Sequence, residues 1–135
     1  MPTQTAASQN LQPRPHPHLY EINTWTWLEQ LSARLKKNIT LAEVPDSEWD
    51  SLAAQGFDIV WLMGVWQRSP ISRRMNVENP ANVAQFSLAL PNWKPEDVIS
   101  SPYSVAAYAP DPRIGNRAAL DAARENCAPA ASRYF

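Results

Sequence analysis

The run Gly56-Phe57-Asp58-Ile59-Val60-Trp61-Leu62-Met63-Gly64-Val65-Trp66 is the most apolar stretch of the chain. Its centre, residues 59–65, carries no charge, and Gly56 and Gly64 punctuate it. A short, continuous apolar run predicts a strand buried on both faces, as in a parallel sheet covered by helices. A buried helix segment is the competing reading. The β-branched and aromatic residues Ile59, Val60, Trp61, Val65 and Trp66, with the flanking glycines, favour the strand.

Working outward, the residues just upstream predict a helix. Ser47 followed by Asp50 resembles a capping box, and acidic residues cluster where a helix N-terminus is positive. Trp49, Leu52 and Ala53 form its apolar stripe, and Gly56 stands where a left-handed cap belongs. Further upstream, residues 19–27 alternate. Tyr20, Ile22, Thr24 and Thr26 share one face, and Glu21, Asn23, Trp25 and Trp27 the other, which predicts a strand. Leu28, Leu31 and Leu35 then fall at helical spacing within residues 27–37. The order is strand, crossover helix, strand: a βαβ unit, expected to be right-handed.

Downstream, residues 67–110 form a long connection holding Pro70, Pro80, Pro91, Pro95, Pro102 and Pro110. Within it, Asn79 as N-cap and Pro80 at the first helical position introduce a helix with Val83, Phe86, Leu88 and Leu90 as apolar positions. Residues 94–99 suggest a second short turn. A long aromatic-rich insert after a strand's C-terminal end is where α/β enzymes build substrate sites. Asn116 then caps an Ala-rich helix over 117–125, with Ala119, Leu120 and Ala123 on its apolar side.

The 135 residues suit one ordinary domain. Its six Trp residues each bring a large apolar surface and one N–H to satisfy. A net charge of −1 with no basic stripe argues against a nucleic-acid partner. No apolar run reaches membrane-spanning length, so no membrane partner is expected. The lone Cys127 excludes an internal disulfide or a cysteine metal cluster and fits a reducing compartment. No secretory pattern opens the chain, so the expected location is cytoplasmic. Residues 1–18 are polar and proline-punctuated, and are expected to be a disordered tail. His16 and His18 lack a third ligand nearby, so no metal is assigned to them.

Leu19-Tyr20-Glu21-Ile22-Asn23 resembles the first barrel strand of the α-amylase family of glycoside hydrolases. The Gly56 to Trp66 run resembles that family's helix-closing glycine and second strand. Ser101-Pro102-Tyr103-Ser104-Val105-Ala106-Ala107-Tyr108, followed by Asp111-Pro112-Arg113-Ile114-Gly115, is similar to the loop that shapes the substrate pocket. The resemblance implies the N-terminal portion of a (β/α)8 TIM barrel over residues 19–126: two strands, their helices and a long βα loop. The family's later strands, with the nucleophile Asp, the acid/base Glu and a third Asp, have no counterpart here. The expectation is thus a truncated barrel with unpaired strand edges, poorly behaved in isolation. Residues 127–135 carry no strand pattern. They are expected to be an aberrant, frameshifted C-terminus, since one codon choice in another frame resembles the missing run into a third strand.

The implied activity is two-step retaining hydrolysis of α-glucosidic bonds, with an α-glucan or oligosaccharide as substrate. That chemistry needs two carboxylates about 5 Å apart across the scissile bond. Glu21, Asp58, Asp97 and Asp111 are all read as structural or solvated, so no catalytic residue is assigned in this chain and no hydrolysis is expected of it. By resemblance, Tyr103 is the residue that stacks on the sugar. An aromatic face suits sugar C–H groups, and its hydroxyl remains free to hydrogen-bond. Trp66, at the strand exit, is the second substrate-binding candidate. Tyr108 is expected to anchor the loop, and Ala107 stands where the family often has Asp. No cofactor is expected; a calcium ion belongs to some full-length relatives and is not readable here. The alternative is a non-catalytic carbohydrate-binding or interaction module built from the same segment. An unrelated small α/β domain with its aromatics in the core is the third reading.

Overall fold

The computed structural model describes residues 15–127. The elements run β1 (Leu19–Asn23), α1 (Thr24–Leu35), a 3-10 turn (Leu41–Glu43), α2 (Asp46–Ala54), β2 (Ile59–Met63) and β3 (Trp66–Arg68). They continue with α3 (Pro70–Glu78), α4 (Pro80–Ala89), a second 3-10 turn (Pro95–Asp97), β4 (Val105–Pro110) and α5 (Arg117–Cys127). The expectations for the tail before residue 15 and for residues 128–135 lie outside the described residues.

β1 and β2 pair in parallel, with Tyr20 opposite Val60 and Ile22 opposite Leu62. That is the expected strand–helix–strand pairing. The expected portion of a (β/α)8 barrel is not what the chain forms. β1–β2 and a separate antiparallel pair, β3–β4, are two small sheets in a small α/β domain. A barrel needs every strand to hold a neighbour on each side. Here each described strand has one, and residues 66–110 supply an antiparallel pair with two helices between its strands.

β2 is covered on one face. Val60 and Leu62 are buried, whereas Trp61 between them is 42% exposed. Period-two alternation therefore holds where a doubly buried strand was expected. The covered face packs with Ile22, Leu28 and Leu31, with Trp49 of α2, and with Ala119 and Ala123 of α5. Trp27 meets Trp49 edge-on at 5.2 Å between ring centroids.

The alternation over residues 19–27 yields to a helix at Thr24. Asn23 takes an extended backbone, and its side-chain oxygen accepts the Thr26 N–H at 3.4 Å. A cap satisfies orphan donors of the first turn, and this local gain outweighs the β preference of Thr and Trp. α2 starts at Asp46, so Ser47 lies inside the first turn and its anticipated capping box does not form. A capping box does form one element earlier, between Thr40 and Glu43. Gly56 takes φ +75° and donates to the Ala53 carbonyl at 2.9 Å, the left-handed closure its position suggested.

Asn79 caps α4 through the Ala81 N–H at 2.9 Å, and Asn116 accepts from Ala119 at 2.9 Å at the start of α5. α3 was not anticipated. It uses the same grammar, with Ser69 accepting from Ser72 at 3.2 Å and Pro70 at the first helical position.

Candidate functional site

Because β1 and β2 run parallel, their C-terminal ends, Asn23 and Met63, share one edge of the sheet. Gly64 follows Met63 with φ +84°. The Trp25 indole N–H donates to its carbonyl at 2.9 Å, tying the start of α1 to the end of β2. A Cβ on Gly64 would lie 2.7 Å from an Arg68 guanidinium nitrogen and 3.2 Å from Pro102 Cβ. Glycine there lets Arg68 and the loop carrying Tyr103 settle against the strand end.

Two guanidinium groups meet the Trp25 ring. Arg68 Cζ lies 4.9 Å from its centroid and Arg113 Cζ 4.4 Å. Both distances suit a cation–π contact. Arg68 also donates to the Ser100 carbonyl at 2.8 Å. Arg113 pairs with the buried Asp111 through both carboxylate oxygens, at 3.1 and 3.2 Å. Asp111 accepts the Arg113 backbone N–H as well, at 3.0 Å. Burial alone would raise the Asp111 carboxyl pKa, but the hydrogen bonds and charge of Arg113, with the charge of Arg68, hold it below its ordinary value. Burial pulls the Arg68 guanidinium down from its usual value; Asp111 opposes this and Arg113 adds to it. Two backbone bonds bracket the turn: the Asp111 N–H donates to Val65 at 2.9 Å and the Ile114 N–H to Asp111 at 3.0 Å.

Tyr103 lies in the turn before β4 and is 71% exposed. Its backbone N–H donates to Ser101 Oγ at 3.2 Å. Trp66 is half-buried at the start of β3, and its ring partner is Tyr108, edge-on at 5.9 Å. Tyr108 is itself 82% exposed, so its ring is displayed on the surface. Trp66 also lines a cleft of about 340 Å³ with Trp61, Leu62, Val65 and one stripe of α5: Arg117, Leu120, Asp121 and Arg124. Aromatic faces beside charged groups are a lining that can hold a polar ring compound. Within the stripe, Arg117 and Asp121 form an ion pair at 3.3 Å.

Three of the weighed carboxylates have structural partners. Asp58 accepts the His18 N–H at 2.8 Å, fastening the start of β1 to the approach to β2. Asp97 accepts the Lys94 N–H at 2.7 Å and closes a 3-10 turn. Asp111 belongs to Arg113. Glu21 is exposed on β1. Among the described residues, no group of three or more His, Cys, Asp and Glu side chains could hold a metal ion. Burial pushes the Cys127 thiol up to about 11, which makes it a packing group and a poor nucleophile.

Sequence reasoning did not single out Trp25, Arg68 or Arg113, because their meeting depends on contacts far apart in the chain. The α5 stripe was open to it: residues 117, 120, 121 and 124 follow helical spacing. Comparisons with protein-family models, with curated proteins and with solved structures found no match. Among the described residues, no helix is long and apolar enough to cross a membrane.

Proposed function

We propose that this chain is the sugar-binding part of an α-amylase-type retaining glycoside hydrolase, taking an α-glucan or oligosaccharide and not hydrolysing it alone. The observation that carries the reading is the cleft between β2 and α5. Trp61 and Trp66 supply apolar faces for sugar C–H groups, and Arg117, Asp121 and Arg124 supply hydrogen-bonding groups for hydroxyls. The resemblance of residues 101–108 to the family's pocket loop adds Tyr103, which stands outside the residues lining that cleft and whose exposed ring is accessible to a ligand. The carboxylates support binding without turnover. Asp58, Asp97 and Asp111 are each engaged by backbone or guanidinium donors, which supports reading these three as structural groups. A cytoplasmic setting belongs to the same proposal, since the lone Cys127 suits a reducing compartment.

Tryptophan fluorescence titration with maltooligosaccharides tests the proposal. Saturable quenching that Trp66→Ala abolishes is expected, together with no release of product from a chromogenic α-glucoside. Absence of saturable binding would sink the carbohydrate reading, and turnover by the purified chain would sink its inactivity. The same engaged carboxylates favour a second reading, a non-catalytic carbohydrate-binding or interaction module. The two part at Tyr103. The first expects Ala in place of the Tyr that Tyr103 resembles, in the pocket loop of a complete α-amylase-type glycosidase, to lower kcat; unchanged turnover leaves the second.

A further inference from the structure

The cleft is not electrically neutral. α5 divides its surface between two stripes. Ala119, Ala123 and Cys127 are buried in the core, and Arg117, Leu120, Asp121 and Arg124 line the cleft. Arg117 and Asp121 neutralise each other at 3.3 Å. Arg124, one turn further on, has no ion-pair partner among the described residues. The cleft therefore presents two indole rings and one uncompensated guanidinium. Neutral sugar hydroxyls do not call for such a charge. A guanidinium fork matches the oxygens of a phosphoryl group, and an adjacent aromatic face matches the ring that bears it.

We infer that the cleft takes a phosphorylated sugar, with its phosphoryl group on Arg124 and its ring against Trp61 and Trp66. This deepens the carbohydrate reading and rests on it. Arg117 already faces Asp121 at 3.3 Å, so Arg124 is the cleft guanidinium without a carboxylate partner among the described residues and carries the discrimination. The cleft volume of about 340 Å³ falls within the range of small-ligand sites and suits a short saccharide.

Fluorescence titrations of the full chain with glucose, glucose 6-phosphate and inorganic phosphate test the inference. Glucose 6-phosphate should bind about tenfold more tightly than either of the others, the gain of one charge-assisted contact added to ring stacking. Arg124→Gln should erase that preference, leaving glucose and glucose 6-phosphate bound equally, while keeping the melting temperature. Equal affinity for glucose and glucose 6-phosphate overturns the inference and leaves the carbohydrate reading standing. A preference that survives Arg124→Gln, or phosphate binding as tightly as its sugar ester, also overturns it. If neither sugar binds, the carbohydrate reading falls with it.

Discussion

The two halves of the molecule are held together by different forces. The β1–β2 pair with α1, α2 and α5 encloses the apolar core. The excursion over residues 66–110 has two helices, α3 and α4, with no buried residue in either. It is held by directional bonds instead. Arg73 donates to the Val98 carbonyl at 2.8 Å and also to the Pro95 carbonyl, and Arg68 donates to Ser100. Phe86 meets Trp93 edge-on at 5.4 Å, and the Trp93 indole donates to Ser87 Oγ at 2.9 Å. Burial stabilises in proportion to area and tolerates little loss of volume. Hydrogen bonds near the surface each contribute about 1 kcal/mol, so that half depends on several small terms.

The contrast is broken most severely at Trp49, only 3% exposed. Trp49→Ala should cost about 3–5 kcal/mol in urea unfolding. Leu88→Ala, on the exposed α4, should stay within about 0.5 kcal/mol. Comparable losses would mean that α4 is covered in solution.

The two glycines flanking β2 sharpen it next. Gly56 and Gly64 both take positive φ, but a Cβ on Gly56 meets nothing within 4 Å. Gly56→Ala should cost about 1–2 kcal/mol from backbone strain alone. Gly64→Ala should cost more, because its methyl displaces Arg68 and Pro102, and it should also loosen the turn that carries Tyr103. Thermal unfolding gives the ranking, and reversed values would deny the close approach at the strand end.

Asp111 joins the two halves, and its effect depends on pH. Its folded pKa lies below the ordinary carboxyl value, so the stabilisation is fully present above an unfolded pKa of about 3.9. It is lost as pH falls through the folded value. Asp111→Asn should cost about 1 kcal/mol at neutral pH, modest because Arg113 is largely exposed. The gap between variant and parent should begin to close as pH falls below about 4 and vanish only below the folded value. A gap independent of pH would place the effect in packing.

The smallest effect is local. Arg73→Ala should raise amide exchange over residues 95–104 while shifting global stability by about 1 kcal/mol. A uniform rise across the core amides would show that both halves unfold as one.

Legibility in the sequence followed the range of the interactions. The β2 strand, the cap residues Asn79 and Asn116 and the turn at Gly56 rest on neighbours within a few positions, and each was readable. β1 was readable as a strand but not its end, since Asn23 can equally continue a strand or cap a helix. The aromatic candidates could be named. Their partners could not, because Trp66 meets Tyr108 and Trp25 meets two arginines across long stretches of chain.

The sequence by itself determined that residues 59–63 are extended, that a helix closes at Gly56 before them, and that glycine follows at residue 64. Those outcomes come from side-chain branching, periodicity and positive φ, which are properties of a few adjacent residues. The tertiary structure alone decided how many neighbours that strand has and which of its faces is covered. Pairing partners are set by competition among distant segments, and here residues 66–110 pair with each other, leaving β2 with β1 alone among the described residues. Trp61, the centre of the most apolar run, consequently lines a cleft where its sequence context promised a core.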